Sequence, residues 1–118
     1  MLKLSSDQTA VFAEEARRAY EDRVIDFLRE KFDDARALRR RDVRPFVRSQ
    51  IAKADGYGLI SEQQVAAYVM LAWLLGVDFD EKFPLIQRAL IDPTIDPEEK
   101  VTFLIEHTAE FLNALSEG

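Results

Sequence analysis

Ser61-Glu62-Gln63-Gln64-Val65-Ala66-Ala67-Tyr68-Val69-Met70-Leu71-Ala72-Trp73-Leu74-Leu75-Gly76 is the stretch on which the fold turns. Ser61 and Gln64 have the spacing of a capping box, and Ile60 stands where it can staple against Val65. From Val65 to Leu75 the residues are apolar almost all round, and Gly76 follows as a stop. A helix with no polar face is covered on several sides, which makes residues 62–75 the expected centre of a bundle. The apolar run ends at Val77, too short to span a bilayer.

Working upstream, Gly56 and Gly58 supply left-handed positions that end a preceding helix. That helix is expected from Asp42 to Asp55, with Pro45 in its first turn and Phe46, Val47, Ile51 and Ala54 on its buried stripe. Residues 32–42 read as a charged connection anchored by Phe32 and Leu38. The first helix is expected over residues 6–31. Ser5 and Gln8 form a capping box after Leu4, and Phe12, Ala16, Tyr20, Val24, Phe27 and Leu28 make one apolar stripe.

Downstream, a solvated loop over residues 77–80 leads to a short helix that starts at Phe83 or Pro84 and ends at Ile91. Asp80 is expected to cap that helix, with Phe79 and Phe83 plugging the loop onto the core. Asp96 then caps a last helix, with Pro97 first and Glu98 and Glu99 facing the dipole. Val101, Leu104, Ile105, Thr108, Phe111, Leu112 and Leu115 continue its apolar face. The expected fold class is all-α: a compact bundle of about five helices around the central helix 62–75, in a single domain spanning residues 1–118. With 118 residues and 47% hydrophobic residues, the chain can bury one core but not two.

The chemistry-bearing residues are few. With no cysteine, disulfides and thiolate sites are excluded, which fits a reducing compartment. The N-terminus has no apolar run of the secretory kind, so a cytoplasmic location is expected. His107 is the single histidine and has no matching carboxylate–histidine set around it. Asp78, Asp80 and Glu81 do not follow a calcium loop, because Lys82 falls on a ligand position and Phe83 on the glycine. Asp92 and Asp96 each precede a proline, as turn and helix-start residues do, so neither is read as an acid–base group. None of Ser5, Ser6, Ser49, Ser61 and Ser116 lies in a nucleophile elbow. Gly56-Tyr57-Gly58 lacks the Gly-Lys-Ser/Thr of a phosphate loop. No catalytic, cofactor or metal site is expected, and the chain is read as non-enzymatic.

Charge is the remaining feature. The net charge of −6 is unevenly spread. Residues 1–54 hold 13 Lys/Arg against 10 Asp/Glu, or +3, whereas residues 55–118 hold 3 against 12, or −9. Arg36, Arg39, Arg40, Arg41, Arg44 and Arg48 fall within 13 residues, opposed by Asp42 alone. Such a cluster is a solvated face with internal salt links or a patch that docks a protein through carboxylates. Nucleic acid is not the expected partner, because the chain is acidic and shows no base-reading aromatic beside the cluster. Arg39, Arg40, Arg41, Arg44 and Arg48 are the candidate protein-binding residues.

Two turns carry a family resemblance: Ile51-Ala52-Lys53-Ala54 leading to Tyr57-Gly58-Leu59-Ile60-Ser61-Glu62, and Leu75-Gly76-Val77-Asp78-Phe79-Asp80. With Phe12, Glu21-Asp22-Arg23 and Asp92-Pro93, the pattern resembles small helical proteins encoded beside type VI secretion genes for spikes, PAAR tips, effectors and effector-adaptor chaperones. Val77 stands where many relatives carry proline. The resemblance implies a co-chaperone or adaptor-binding role in effector loading, with an effector-adaptor chaperone or an effector as partner. An immunity protein that occludes a neighbouring toxin is the alternative, since the −9 half suits a basic target. A self-associating component of the apparatus is a third class.

Overall fold

The computed structural model describes the backbone of residues 6–110 and the side chains of residues 13–110. All regular structure among them is helical: α1 (Ser6–Lys31), α2 (Asp33–Arg36), α3 (Arg40–Gly56), α4 (Glu62–Leu75), α5 (Phe79–Lys82), α6 (Pro84–Ile91) and α7 (Pro97–Glu106). Residues 108–110 are helical again after a break at His107. The count exceeds the expected five because two single-turn helices occupy supposed connections and the last helix is interrupted. No described helix is long and apolar enough to cross a membrane. The chain divides into two compact units, residues 1–47 and 48–118.

In the first unit α1 carries the core. Among its described side chains Glu21, Val24, Ile25 and Leu28 are fully buried. Their i, i+3, i+4, i+7 spacing is one helical face, rotated from the expected stripe. Ala16 is exposed and Tyr20 and Phe27 are only half-buried. The side chain of Phe12, and the Leu4, Ser5 and Gln8 capping signal, lie outside the described residues. The supposed connection is in fact a turn of helix, α2, which buries Ala35, while its expected anchor Leu38 is exposed. α3 begins two residues earlier than Asp42, which leaves Pro45 beyond the first turn. A tight i→i−3 bond from the Asp42 N–H to the Arg39 carbonyl, 2.9 Å, winds the start of α3 ahead of the proline. Val43 and Val47 are the buried residues of this part of α3.

In the second unit α3 ends in a Schellman motif. The Leu59 N–H reaches the Ala54 carbonyl and the Gly58 N–H the Asp55 carbonyl, at 3.1 and 3.0 Å. Only Gly58, with φ of 83°, uses the left-handed region; Gly56 stays helical. The capping box of α4 forms as expected, with the Ser61 hydroxyl accepting from Gln64 N–H and the Gln64 side chain accepting from Ser61 N–H, each at 3.1 Å. Ser61→Ala is expected to cost about 1 kcal/mol and to lower the melting temperature by roughly 4 °C, measurable by circular dichroism. The staple does not form: Ile60 is 82% exposed. α4 buries Val65, Ala66, Ala67, Tyr68 and Val69, then Leu71, Ala72 and Leu75. Gly76, with φ of 107°, ends it by returning its N–H to the Ala72 carbonyl.

The loop after Gly76 is the short helix α5, where Phe79 and Asp80 are both fully buried; Phe83 is half-buried. α6 buries Ile86 and Leu90, and α7 packs on α4 and α6 through Val101 and Leu104. Asp96 takes the extended cap conformation, but its side chain makes no capping bond. Ile105, expected on the apolar face, is 51% exposed. Phe111, Leu112 and Leu115 lie outside the described residues.

Candidate functional site

The five candidate arginines do not form one uniform face. Arg44 turns inward and is only 17% exposed at its side chain. One of its nitrogens pairs with Glu21, whose carboxylate is 1% exposed, at 2.9 Å, and the other pairs with Asp22. The bonds to Asp22 and Glu21 raise its pKa further despite burial. Arg40 pairs with Asp26 of α1. These two arginines therefore tie α3 to α1 within the first unit. Arg39, Arg41 and Arg48 are exposed, and so is Arg40 despite its bond to Asp26.

A polar cluster that the residue pattern does not announce lies in the second unit. Asp80 does not cap α6; it is buried inside α5 and its two oxygens are taken by α3 and the turn after it. Lys53 Nζ donates to Oδ1 at 2.7 Å and the Tyr57 hydroxyl to Oδ2 at 2.6 Å. Lys53 Nζ also reaches the Val77 carbonyl at 2.8 Å. Burial alone would push the Asp80 carboxyl up, but the Lys53 and Tyr57 bonds and the Lys53 charge outweigh it and hold the carboxyl below its usual value. Burial, reinforced by Asp80, pushes the Tyr57 hydroxyl well above its usual pKa. Tyr57 meets Tyr68, and Tyr68 meets Phe79, with ring centroids 6.0 and 5.0 Å apart. A carboxylate held ionised by two donors is an anchor; a general acid needs the opposite shift.

Lys100 is a second buried charge. Its ammonium donates to the Leu90 carbonyl at 2.6 Å and the Tyr57 carbonyl at 3.1 Å, sealing the end of α6 against the α3–α4 turn. A signal for it existed: Lys100 shares a helix face with Val101 and Leu104, as Glu21 does with Val24, Ile25 and Leu28. A charged residue at a stripe position marks a satisfied buried charge.

The other candidates take structural places. Asp92 locks the α6–α7 turn by accepting from the Thr94 hydroxyl and N–H, at 2.6 and 2.9 Å, which lowers its pKa. His107 lies on the Phe103 ring, centroids 4.4 Å apart, with Nδ1 2.9 Å from the Phe103 carbonyl. Among the described residues no group of three or more His, Asp or Glu side chains is placed to hold a metal ion.

Among the described residues a surface depression lies between α6 and α7. Leu85, Ala89, Ile95 and Phe103 line a depression of about 390 Å³, with Arg88, Asp92 and Glu99 at its margin. A second depression of about 480 Å³, walled by Tyr57, Ile91, Pro93 and Pro97, shares Ile95 with it. Leu85 is 64% exposed, and Ile91 is exposed to a similar degree.

Comparison with known proteins returns no match. No protein-family model, curated protein or solved structure is similar to the chain.

Proposed function

We propose that the chain is a non-enzymatic, protein-binding accessory factor, a co-chaperone or adaptor-binding protein, for effector loading in type VI secretion. The observation that carries the binding role is the apolar groove between α6 and α7, with large aliphatic side chains left open to water around it. Isolated exposed aliphatics are ordinary, but an apolar groove with a polar rim has the form of a protein contact. The secretion role is supported by the turn pattern around Tyr57-Gly58 and Leu75-Gly76. In this reading α4, with eight buried residues, is the central helix of the bundle, and the protein works in the cytoplasm without a cofactor. Arg39 and Arg41 supply a second, charged contact.

Mixing the purified chain with the purified effector-adaptor chaperone of the same gene cluster tests the proposal. A complex in size-exclusion light scattering, with a Kd of about 10 µM or tighter, is expected. No complex at higher concentrations, with both proteins folded, overturns it. The −9 charge of residues 55–118 supports the alternative of an immunity protein for a basic toxin. That reading expects the chain to rescue cells expressing a neighbouring toxin and leaves the adaptor unbound.

A further inference from the structure

The α6–α7 groove has a helical period on both walls. Leu85, Arg88, Ala89 and Asp92 stand at i, i+3, i+4 and i+7 on the α6 side. Glu99 and Phe103, at i and i+4, form the α7 side, and Ile95 closes the end where the chain turns. Two neighbouring helices that expose matched stripes leave a trough into which the ridge of a third helix fits.

Its charge is one-sided. Residues 92–99 contain Asp92, Asp96, Glu98 and Glu99 and no base. The next residue, Lys100, is buried and committed to two carbonyls. Arg88 is the one base on the lining. An occupant therefore needs an apolar stripe to cover Leu85, Ala89 and Phe103, and positive charge beside it to meet the acidic end.

We infer that this groove binds an amphipathic helix of a partner protein, with Lys or Arg flanking its apolar stripe. The inference rests on the protein-binding reading and supplies the chemistry of the partner segment.

The probe is a labelled peptide of about 14 residues, long enough to form a helix on binding, with leucines at i, i+3, i+4 and i+7 and lysines between. A counterpart has glutamate in place of lysine. In fluorescence anisotropy the Leu/Lys peptide is expected to bind with a Kd on the order of 10 µM, and the Leu/Glu peptide at least about tenfold more weakly. Leu85→Glu, at an exposed position that folding tolerates, is expected to weaken the Leu/Lys peptide about tenfold or more. Ile105→Glu adds the same charge two residues from Phe103, on another side of α7, and is expected to leave the Kd within about twofold. Glu99→Lys is expected to weaken the Leu/Lys peptide and tighten the Leu/Glu one.

Attraction between a basic peptide and an acidic protein predicts that both glutamate variants bind more tightly. Binding by Leu85→Glu as tight as by the parent overturns the inference, as does equal binding of the two peptides. A dimer of the chain that Leu85→Glu dissolves, without peptide binding, assigns the groove to a second copy and also overturns it. If the adaptor chaperone binds and Leu85→Glu leaves that binding intact, the groove assignment fails and the protein-binding reading stands. If the groove takes the Leu/Lys peptide and the adaptor does not bind, the secretion role alone fails.

Discussion

Arg44→Ala is expected to destabilise the protein by about 3 kcal/mol at neutral pH, lowering its melting temperature by roughly 10 °C. The Glu21 carboxylate is 1% exposed and Arg44 holds it at 2.9 Å while reaching Asp22 with its other nitrogen. Truncation deprives a buried carboxylate of its guanidinium partner, and no other residue type replaces a two-pronged guanidinium in one position. Arg44→Lys keeps the charge but cannot reach both carboxylates, so it is expected to lose about half as much. Urea unfolding followed by circular dichroism measures both. A loss below about 1 kcal/mol for the alanine variant would show the pair to be a solvated surface link. The double variant Arg44→Met with Glu21→Met is expected to recover much of the loss, because apolar residues of similar volume replace a buried ion pair at little cost.

Asp80→Asn is expected to remove about 2–3 kcal/mol at pH 7. The amide keeps the shape of the carboxylate but carries one acceptor oxygen, while Lys53 and Tyr57 present two donors at 2.7 and 2.6 Å. One donor is left facing an NH2 group. The pH dependence is a sharper test. Because the folded-state pKa of Asp80 is lowered, the unfolded chain takes up a proton first on acidification. The stability from this group is complete above the unfolded value of about 3.9 and declines as pH falls toward the folded value. The parent protein is therefore expected to lose stability more steeply below about pH 4 than Asp80→Asn does. Parallel stability curves for the two in acid would contradict the assignment.

The parts of the fold legible in the residues are those set by local chemistry. Ser61 and Gln64 close a ring across one turn, Pro84 and Pro97 fix first turns, and Gly58 and Gly76 supply backbone angles other residues avoid. Each signal is complete within a few residues. The misplaced features depend on distant partners. Asp80 reads as a loop residue until Lys53, 27 positions earlier, is brought against it. A stripe of apolar residues alone leaves out Glu21, whose burial depends on Arg44, 23 positions later. The arginine cluster likewise reads as one patch, yet Glu21 and Asp22 draw Arg44 inward and Asp26 pairs with the still exposed Arg40, leaving Arg39 and Arg41 exposed within the first unit. The groove is not legible in the residues for a related reason. Its walls come from two short helices, and neither stripe alone differs from an ordinary exposed helix surface.

The Lys100 ammonium bears on the proposed recognition. α6 has eight residues, too few to hold helical shape on its own. Its last turn is fastened through the Leu90 carbonyl to α7, and through the same nitrogen to the Tyr57 carbonyl. One wall of the groove is thus set in place before any partner arrives. A preformed wall lowers the ordering entropy of association, so in the proposed groove binding the ordering falls mainly on the partner helix. In the proposed groove binding, loosening that nitrogen would add an ordering cost to association and weaken the complex.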